Sequence, residues 1–317
     1  AVAVSGDYAY FGSGSVLMIA DVSNPSTPIY VGEVELGQNL TSIAVDGGIA
    51  FVVHWMKGLT IVDVSVPASP IVLTYLQMSD IEDVAAAGGY AYLAAGFSGL
   101  LVLDVSSPAS PVPAGSAPVN YWARGVVLAG SLAYVVDGQS LLVFDITSPA
   151  VPAVLGDLDT PGDAQGVAVY GSIAFIADYS EGLRVVDVSD PADPIEVGSV
   201  AVLGPAIDVA GSATHAYVID NYYGLRIMDV SNPAAPFEAG SYQPKGQTWG
   251  VDTQGGDVYL AAAGEGMLII DVSTPSAPSV LGSYDSPGSS LGIAAAGAFA
   301  YVADGDLRVF DVSGVEP

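Results

Sequence analysis

The chain has 317 residues, 34 Asp plus Glu against six Lys plus Arg for a formal net charge of −28, and no Cys. That charge argues against nucleic acid and anionic membrane surfaces, which need a basic footprint, and the missing Cys rules out disulfides, zinc–thiolate sites and a Cys nucleophile. Hydrophobic residues reach 51%, but Asp, Gly, Ser and Pro break every apolar run short of the roughly 18–20 residues of a membrane span.

Ala1 begins inside a strand-like run, so the chain reads as mature, processed or excised, with no signal peptide expected. The first turn signal follows at Asp21-Val-Ser-Asn-Pro-Ser-Thr-Pro28. Variants of it open at Asp63, Asp104, Asp145, Asp187, Asp229 and Asp271, with a clipped copy at Asp311. The spacing is 40 to 42 residues throughout. A fixed period of this size marks a repeat architecture, and no unit holds enough chain to bury a core alone. The expectation is one closed domain over residues 1–317, with units starting near 1, 42, 83, 125, 166, 208, 250 and 292.

Residues 165–206 show one period. Gly166-Val-Ala-Val-Tyr170 reads as a first strand, Ile173-Ala-Phe-Ile-Ala-Asp178 as a second, Leu183-Arg-Val-Val-Asp-Val188 as a third and Ile195-Glu-Val-Gly-Ser-Val200 as a fourth. Short strands with Gly/Pro punctuation predict an all-β fold, and four per period of about 40 residues select a β-propeller. The first three strands recur eight times, starting near Val2, Ile43, Val84, Val126, Val167, Val209, Val251 and Ile293. The fourth recurs seven times, after Pro28, Pro70, Pro111, Pro152, Pro194, Pro236 and Pro278. Eight four-stranded antiparallel blades follow, the last lacking its outer strand. An open edge attracts pairing. Three outcomes are open: a three-stranded blade, a fourth strand from a segment beyond this chain, or a strand donated by a neighbouring chain.

The repeated turn has a local cause. Each Asp can accept backbone N–H groups just beyond it as an Asx turn, and the following prolines stop the ladder. Asp21, Asp63, Asp104, Asp145, Asp187, Asp229, Asp271 and Asp311 are therefore expected to be structural. Gly6, Gly47, Gly88, Gly130, Gly171, Gly255 and Gly297 fall at first hairpins and predict turns with positive φ. Gly211 is out of that register, so its hairpin is expected to be irregular.

The segments Gly58-Leu-Thr-Ile-Val-Asp-Val-Ser65, Gly99-Leu-Leu-Val-Leu-Asp-Val-Ser106, Gly182-Leu-Arg-Val-Val-Asp-Val-Ser189 and Gly224-Leu-Arg-Ile-Met-Asp-Val-Ser231 resemble the bacterial and archaeal LVIVD-repeat family. The resemblance spans essentially the whole chain. It implies a secreted or surface-displayed β-propeller, often one part of a larger protein. It implies no reaction, because the motif is a scaffold motif.

In such a ring the fourth-to-first links and second-to-third loops share one face, where held loops carry function. This sequence places His54, Trp55 and Lys57 there, with Tyr121, Trp122 and Arg124, Tyr179, Tyr222 and Tyr223, Lys245 and Trp249. Aromatic rings beside Asp, Asn and Gln suit a sugar ring or a protein partner; they equally suit packing among the loops. The acidic step Asp80-Ile-Glu82-Asp83, with Asp208, offers an all-oxygen calcium site, or simply solvated charge. His54 and His215 lie at opposite ends of their blades and cannot share a metal or dyad. Arg184, Arg226 and Arg308 occupy one place on three third strands and are expected to pair with nearby carboxylates. No phosphate-binding loop or nucleophile–His–Asp set is visible.

These residues predict a non-enzymatic recognition and scaffold module, secreted or at the cell surface, that contacts a glycan, a protein or a like subunit, with calcium as the one cofactor to consider. Nucleic acid and membrane insertion are not expected. The alternatives are a structural subunit of a filament or surface layer built by strand pairing, and a propeller lyase or hydrolase with a site at the central channel.

Overall fold

A computed structural model describes residues 2–13, 15–21, 29–38, 40–54, 58–254, 257–262, 266–284, 292–296, 299–303 and 307–311. They form eight antiparallel meanders, seven of four strands and one of three. Each seven-fold repeated sheet follows the order of its chain; blade 5, for example, is Gly166–Tyr170, Ile173–Ala177, Leu183–Asp187 and Ile195–Val200. First strands of successive blades lie side by side, and the first strand of blade 1 (Val2–Ser5) packs against that of blade 8 (Gly292–Ala296). The ring thus closes by packing, with no strand exchanged between the first and last blades among the described residues. The fold is the eight-bladed β-propeller that the repeat predicts.

The core lies between blades. Second and third strands are buried on both faces, as in Ile173–Ala177 and Leu183–Asp187, because each sheet is covered by a neighbour on either side. One buried aromatic in each second strand of blades 1 to 7 (Tyr10, Phe51, Tyr92, Tyr134, Phe175, Tyr217, Tyr259) sits in these interfaces. Tyr92 and Val102 of blade 3 cluster with Val135 and Phe144 of blade 4, so apolar burial glues neighbours more than it fills any single blade.

Outer strands follow a second rule. In all seven four-stranded blades the pairing of third and fourth strands slips by one residue at the same place, between Val185 and Val186 in blade 5. These bulges twist the outer strand. Beside the slip stands a glycine whose backbone touches the proline-bearing turn of the next blade. A Cβ on Gly198 would meet the Pro233 carbonyl oxygen at 2.2 Å, and one on Gly240 the Pro275 oxygen at 1.7 Å. Blade 2 has Thr74 at this position.

The turn aspartates behave as expected. Asp63, Asp104, Asp145, Asp187, Asp229 and Asp271 each accept the backbone N–H two residues on, at 2.7–2.9 Å. The hydroxyls of Ser65, Ser106, Thr147, Ser189, Ser231 and Ser273, together with those backbone bonds, hold the carboxyls below the ordinary range. The turn after Asp21 and the side chain of Asp311 lie outside the described residues. Gly6, Gly47, Gly88, Gly130 and Gly171 have positive φ; Gly255 and Gly297 are outside the described residues. Blade 6 differs, as its shifted glycine predicts: its hairpin turns at Ala213-Thr214, with His215 N–H donating to Ser212 Oγ. Gly211 instead gives way to Phe175, 2.5 Å from where its Cβ would stand. The fourth strand of blade 4, Ala153–Ala164, runs longer than the others and its end pairs back to Gly138.

Candidate binding face and central channel

The loop face is held by buried carboxylates. Asp137 and Asp178 directly follow the second strands of blades 4 and 5, Asp220 ends that of blade 6, and all three are fully buried. Asp137 accepts the N–H groups of Asn120 and Tyr121 through one oxygen, and the Ser140 N–H and hydroxyl through the other. Asp178 accepts Gly162 N–H, and Asp220 accepts Gly204, Tyr222 and Tyr223 N–H. Each therefore ties the link entering its blade to that blade's own second-to-third loop. Backbone donors that loops would leave unpaired are satisfied in this way.

Arg184 and Arg226 complete the ties, in the carboxylate pairs expected of them. Arg184 meets Asp178 at 3.2 Å, Glu181 at 3.4 Å and Glu196 at 3.4 Å. Arg226 meets Asp220 at 3.7 Å and Glu238 at 3.1 Å, and lies over the Tyr223 ring at 5.5 Å. Burial still pushes the Asp178 carboxyl upward, the Gly162 and Arg184 bonds opposing it. The Arg308 side chain is outside the described residues.

The aromatics of this face divide into two patches. Phe97, 78% exposed, meets Trp122 edge-on at 4.9 Å, beside exposed Tyr121. Trp122 Nε1 donates to Glu82 at 3.1 Å, and Gly96 lies against its ring. Asp80 lies beside Gly96 in a left-handed conformation, φ 67°. The second patch carries Tyr179, Tyr222 and Tyr223 with Leu203, which is 75% exposed. Trp249 is 40% exposed on blade 7. The packing alternative accounts for Trp122 but not for these rings in solvent.

His54 corrects the expectation. It is 1% exposed, bonded through Nε2 to Thr60 Oγ1 at 2.7 Å inside blade 2, with the Tyr75 ring 6.3 Å away. The strand continues through His54, so its side chain turns into the blade. Trp55 and Lys57 lie outside the described residues.

The channel mouth is a polar cavity of about 390 Å³, walled by Glu82, Asp83, Arg124, Gln165 and Asp208 with the first-strand backbones. Arg124 and Asp163 form a two-bonded pair, both bonds at 3.1 Å. Asp83 and Asp208 are held as clamps between blades. Asp83 accepts the Ser42 hydroxyl of blade 2 at 2.7 Å and Val126 N–H of blade 4 at 3.0 Å. Asp208 accepts Val251 N–H of blade 7 at 3.2 Å and its own neighbour Val209 N–H at 2.9 Å. Burial raises both carboxyls, Asp208 to about 7, with Asp252 and Asp83 adding repulsion. The expected calcium ligands are not brought together: Asp80 lies beside Gly96, Glu82 is bonded to Trp122, and Asp83 and Asp208 bind backbone. Among the described residues no group of three His, Asp or Glu is placed to hold a metal. His54 does not line this channel with Arg124.

The family model described as the LVIVD repeat matches residues 1–35, 39–76, 80–117, 122–160, 161–202, 203–244, 245–286 and 287–314. The chain belongs to the LVIVD-repeat family. Its motif glycine now has a reason: Gly182 has φ 82°, and a Cβ there would meet the Val200 carbonyl oxygen at 2.3 Å. Comparison with curated proteins returned no match. Among solved structures, the computationally designed Ika8 protein is similar with a TM-score of 0.80 at 10% identity, over 98% of this chain and 95% of that one. Chaetomium thermophilum Sqt1 bound to the N-terminus of the ribosomal protein L10 gives 0.74 at 14%, over 96% and 93%. BamB from Moraxella catarrhalis gives 0.72 at 10%, over 98% and 92%. At such identities the likeness speaks for fold alone.

Proposed function

We propose that this LVIVD-repeat propeller is a non-enzymatic recognition module, displayed or secreted, whose loop face docks a protein partner. The observation that carries the reading is the second aromatic patch. Tyr179, Leu203, Tyr222 and Tyr223 stand in solvent on loops tied down by Asp178 and Asp220. Rigid aromatic anchors lose little entropy on binding and dominate interface energetics. Sqt1 in complex with the N-terminus of L10 is an instance of this fold binding a protein. A glycan would also stack on such rings, and the test distinguishes the two. A photo-reactive residue at 222 should cross-link a protein from the native surroundings, and excess unmodified chain should suppress the adduct. The same group at Val66, exposed at the other end of the ring, should give no such adduct. Equal labelling from both positions, or saturable binding of a glycan in place of a protein, would sink the reading.

A second reading rests on the last blade, whose third strand Leu307–Asp311 pairs only with Phe299–Ala303 among the described residues. A strand from a like subunit would complete it by augmentation. Light scattering across a concentration series decides: assembly abolished by Val309→Pro supports donation, and a constant monomer mass removes it.

A further inference from the structure

Equivalent positions in a repeat answer the same packing demand, so a departure confined to neighbouring units marks a different demand. The residue opening each second strand pairs across to the turn aspartate of the third. It is Tyr8, Ile49, Tyr90, Leu132, Ile173 and Phe299 in blades 1 to 5 and 8. Blades 6 and 7 place His215 and Asp257 there, opposite Asp229 and Asp271. Like charges directly across a ladder cost stability, so packing gives no reason for Asp257.

These two residues line one cavity of about 510 Å³ at the end of the ring opposite the aromatic face, between the hairpins of blades 5, 6 and 7. Two further departures border it. The blade 6 hairpin turns at Ala213-Thr214 without the positive-φ glycine of blades 1 to 5. Tyr170, half-exposed, ends a first strand where Ser5, Asp46, Ala87 and Ala129 stand in blades 1 to 4. His215 stacks on Tyr217 with ring centroids 6.3 Å apart, and Thr214 Oγ1 holds its Nδ1 at 3.0 Å. Among the described residues no Lys or Arg lines the cavity, and His215 is its one titratable base. Burial and the facing Asp271 push the Asp257 carboxyl upward. A negative group thus borders a roomy, partly aromatic cavity that no Lys or Arg enters among the described residues.

We propose that this cavity binds an alkylammonium group, from a free amine or a lysine side chain, with Asp257 as its counter-ion and Tyr170 as a wall for its methylenes. An ammonium is a compact charge with three donors. Asp257 and the hydroxyls of Ser212, Thr253 and Ser273 supply acceptors, and an aromatic face favours a cation. The ligand would also relieve the repulsion between Asp257 and Asp271. The site is independent of the loop-face reading.

Isothermal titration calorimetry with n-butylammonium and N-acetyl-lysine methylamide tests it, with glucose as a neutral control. Saturable binding of at least one ammonium, weakened tenfold or more by Asp257→Asn and several-fold by Tyr170→Ser but unchanged by Tyr222→Ala, is expected. Which ammonium binds tells a free amine from a lysine side chain, and either supports the proposal. Asp257→Asn keeps the shape and removes a like-charge pair, so an unchanged or higher Tm should accompany its loss of binding. No saturation by either ammonium, equal affinity in Asp257→Asn, or displacement by glucose would overturn the proposal.

Discussion

At the scale of single residues, this protein uses aspartate in three ways that burial separates. The turn aspartates are half-buried, and each serves the N–H two residues on, Asp63 and Asp229 also a Ser hydroxyl. Asp137, Asp178 and Asp220 are buried and join separate loops. Asp137→Ala would leave the Asn120, Tyr121 and Ser140 N–H groups without their acceptor. A cost of about 2–4 kcal/mol in urea unfolding is expected, and a clearly smaller one for Asp104→Ala. The third kind is Asp208, whose carboxyl is pushed up to about 7 by burial in the channel wall. An unfolded aspartate titrates near 4. Between these values the folded protein holds the extra proton, so Asp208 makes stability fall as pH rises from about 4 through 7. Thermal unfolding across pH 5–8 should show this slope, and Asp208→Asn should flatten it whatever its absolute Tm. The turn aspartates act in the other sense: their contribution is present above about 4 and lost as pH falls below it.

At the scale of elements, the fourth strand decides how blades meet. Its bulge and its glycine let the next blade's turn lie on bare backbone. Gly198→Ala would drive a methyl into the Pro233 carbonyl and Pro236 ring, at an expected cost of about 2–3 kcal/mol in denaturant unfolding. Gly130→Ala is the contrast: nothing lies within 4 Å of its Cβ position, and only φ 61° resists the change. About 1–2 kcal/mol is expected there. Strand order, the Asx turns and the hairpin glycines were legible in the sequence because each depends on residues close in the chain. The bulges were not: a one-residue slip leaves no mark in alternation until the partner strand is known. Nor was the burial of His54, because one more strand residue turns a loop side chain into the blade.

At the scale of the molecule, eight blades close by packing of first strands, and interactions run only between neighbours. The consequence for function is a division of labour between two ends. The loop end carries polar clamps and exposed aromatics; the hairpin end carries the cavity with His215 and Asp257. A single substitution at either end should leave the other's binding intact, since the two sites lie at opposite ends of the same blades, a strand length apart. Calorimetry at the hairpin cavity and cross-linking from residue 222 check this on one set of variants: Tyr223→Ala should suppress the protein adduct alone, and Asp257→Asn ammonium binding alone.

What the sequence determined by itself is the recurring part: blade number, strand order, turn chemistry and an end of the ring rich in aromatics. A period of about 42 residues imposes these eight times, so each copy corroborates the rest. What only the tertiary structure decided is where unlike residues from different periods meet. Asp83 bridges Ser42 and Val126, and Asp208 reaches Val251, across some 41 to 43 residues of chain. His215 and Asp257 come to one cavity in the same way. Such meetings depend on the twist and bulge of every intervening strand, and the repeat pattern averages over the departures that carry them.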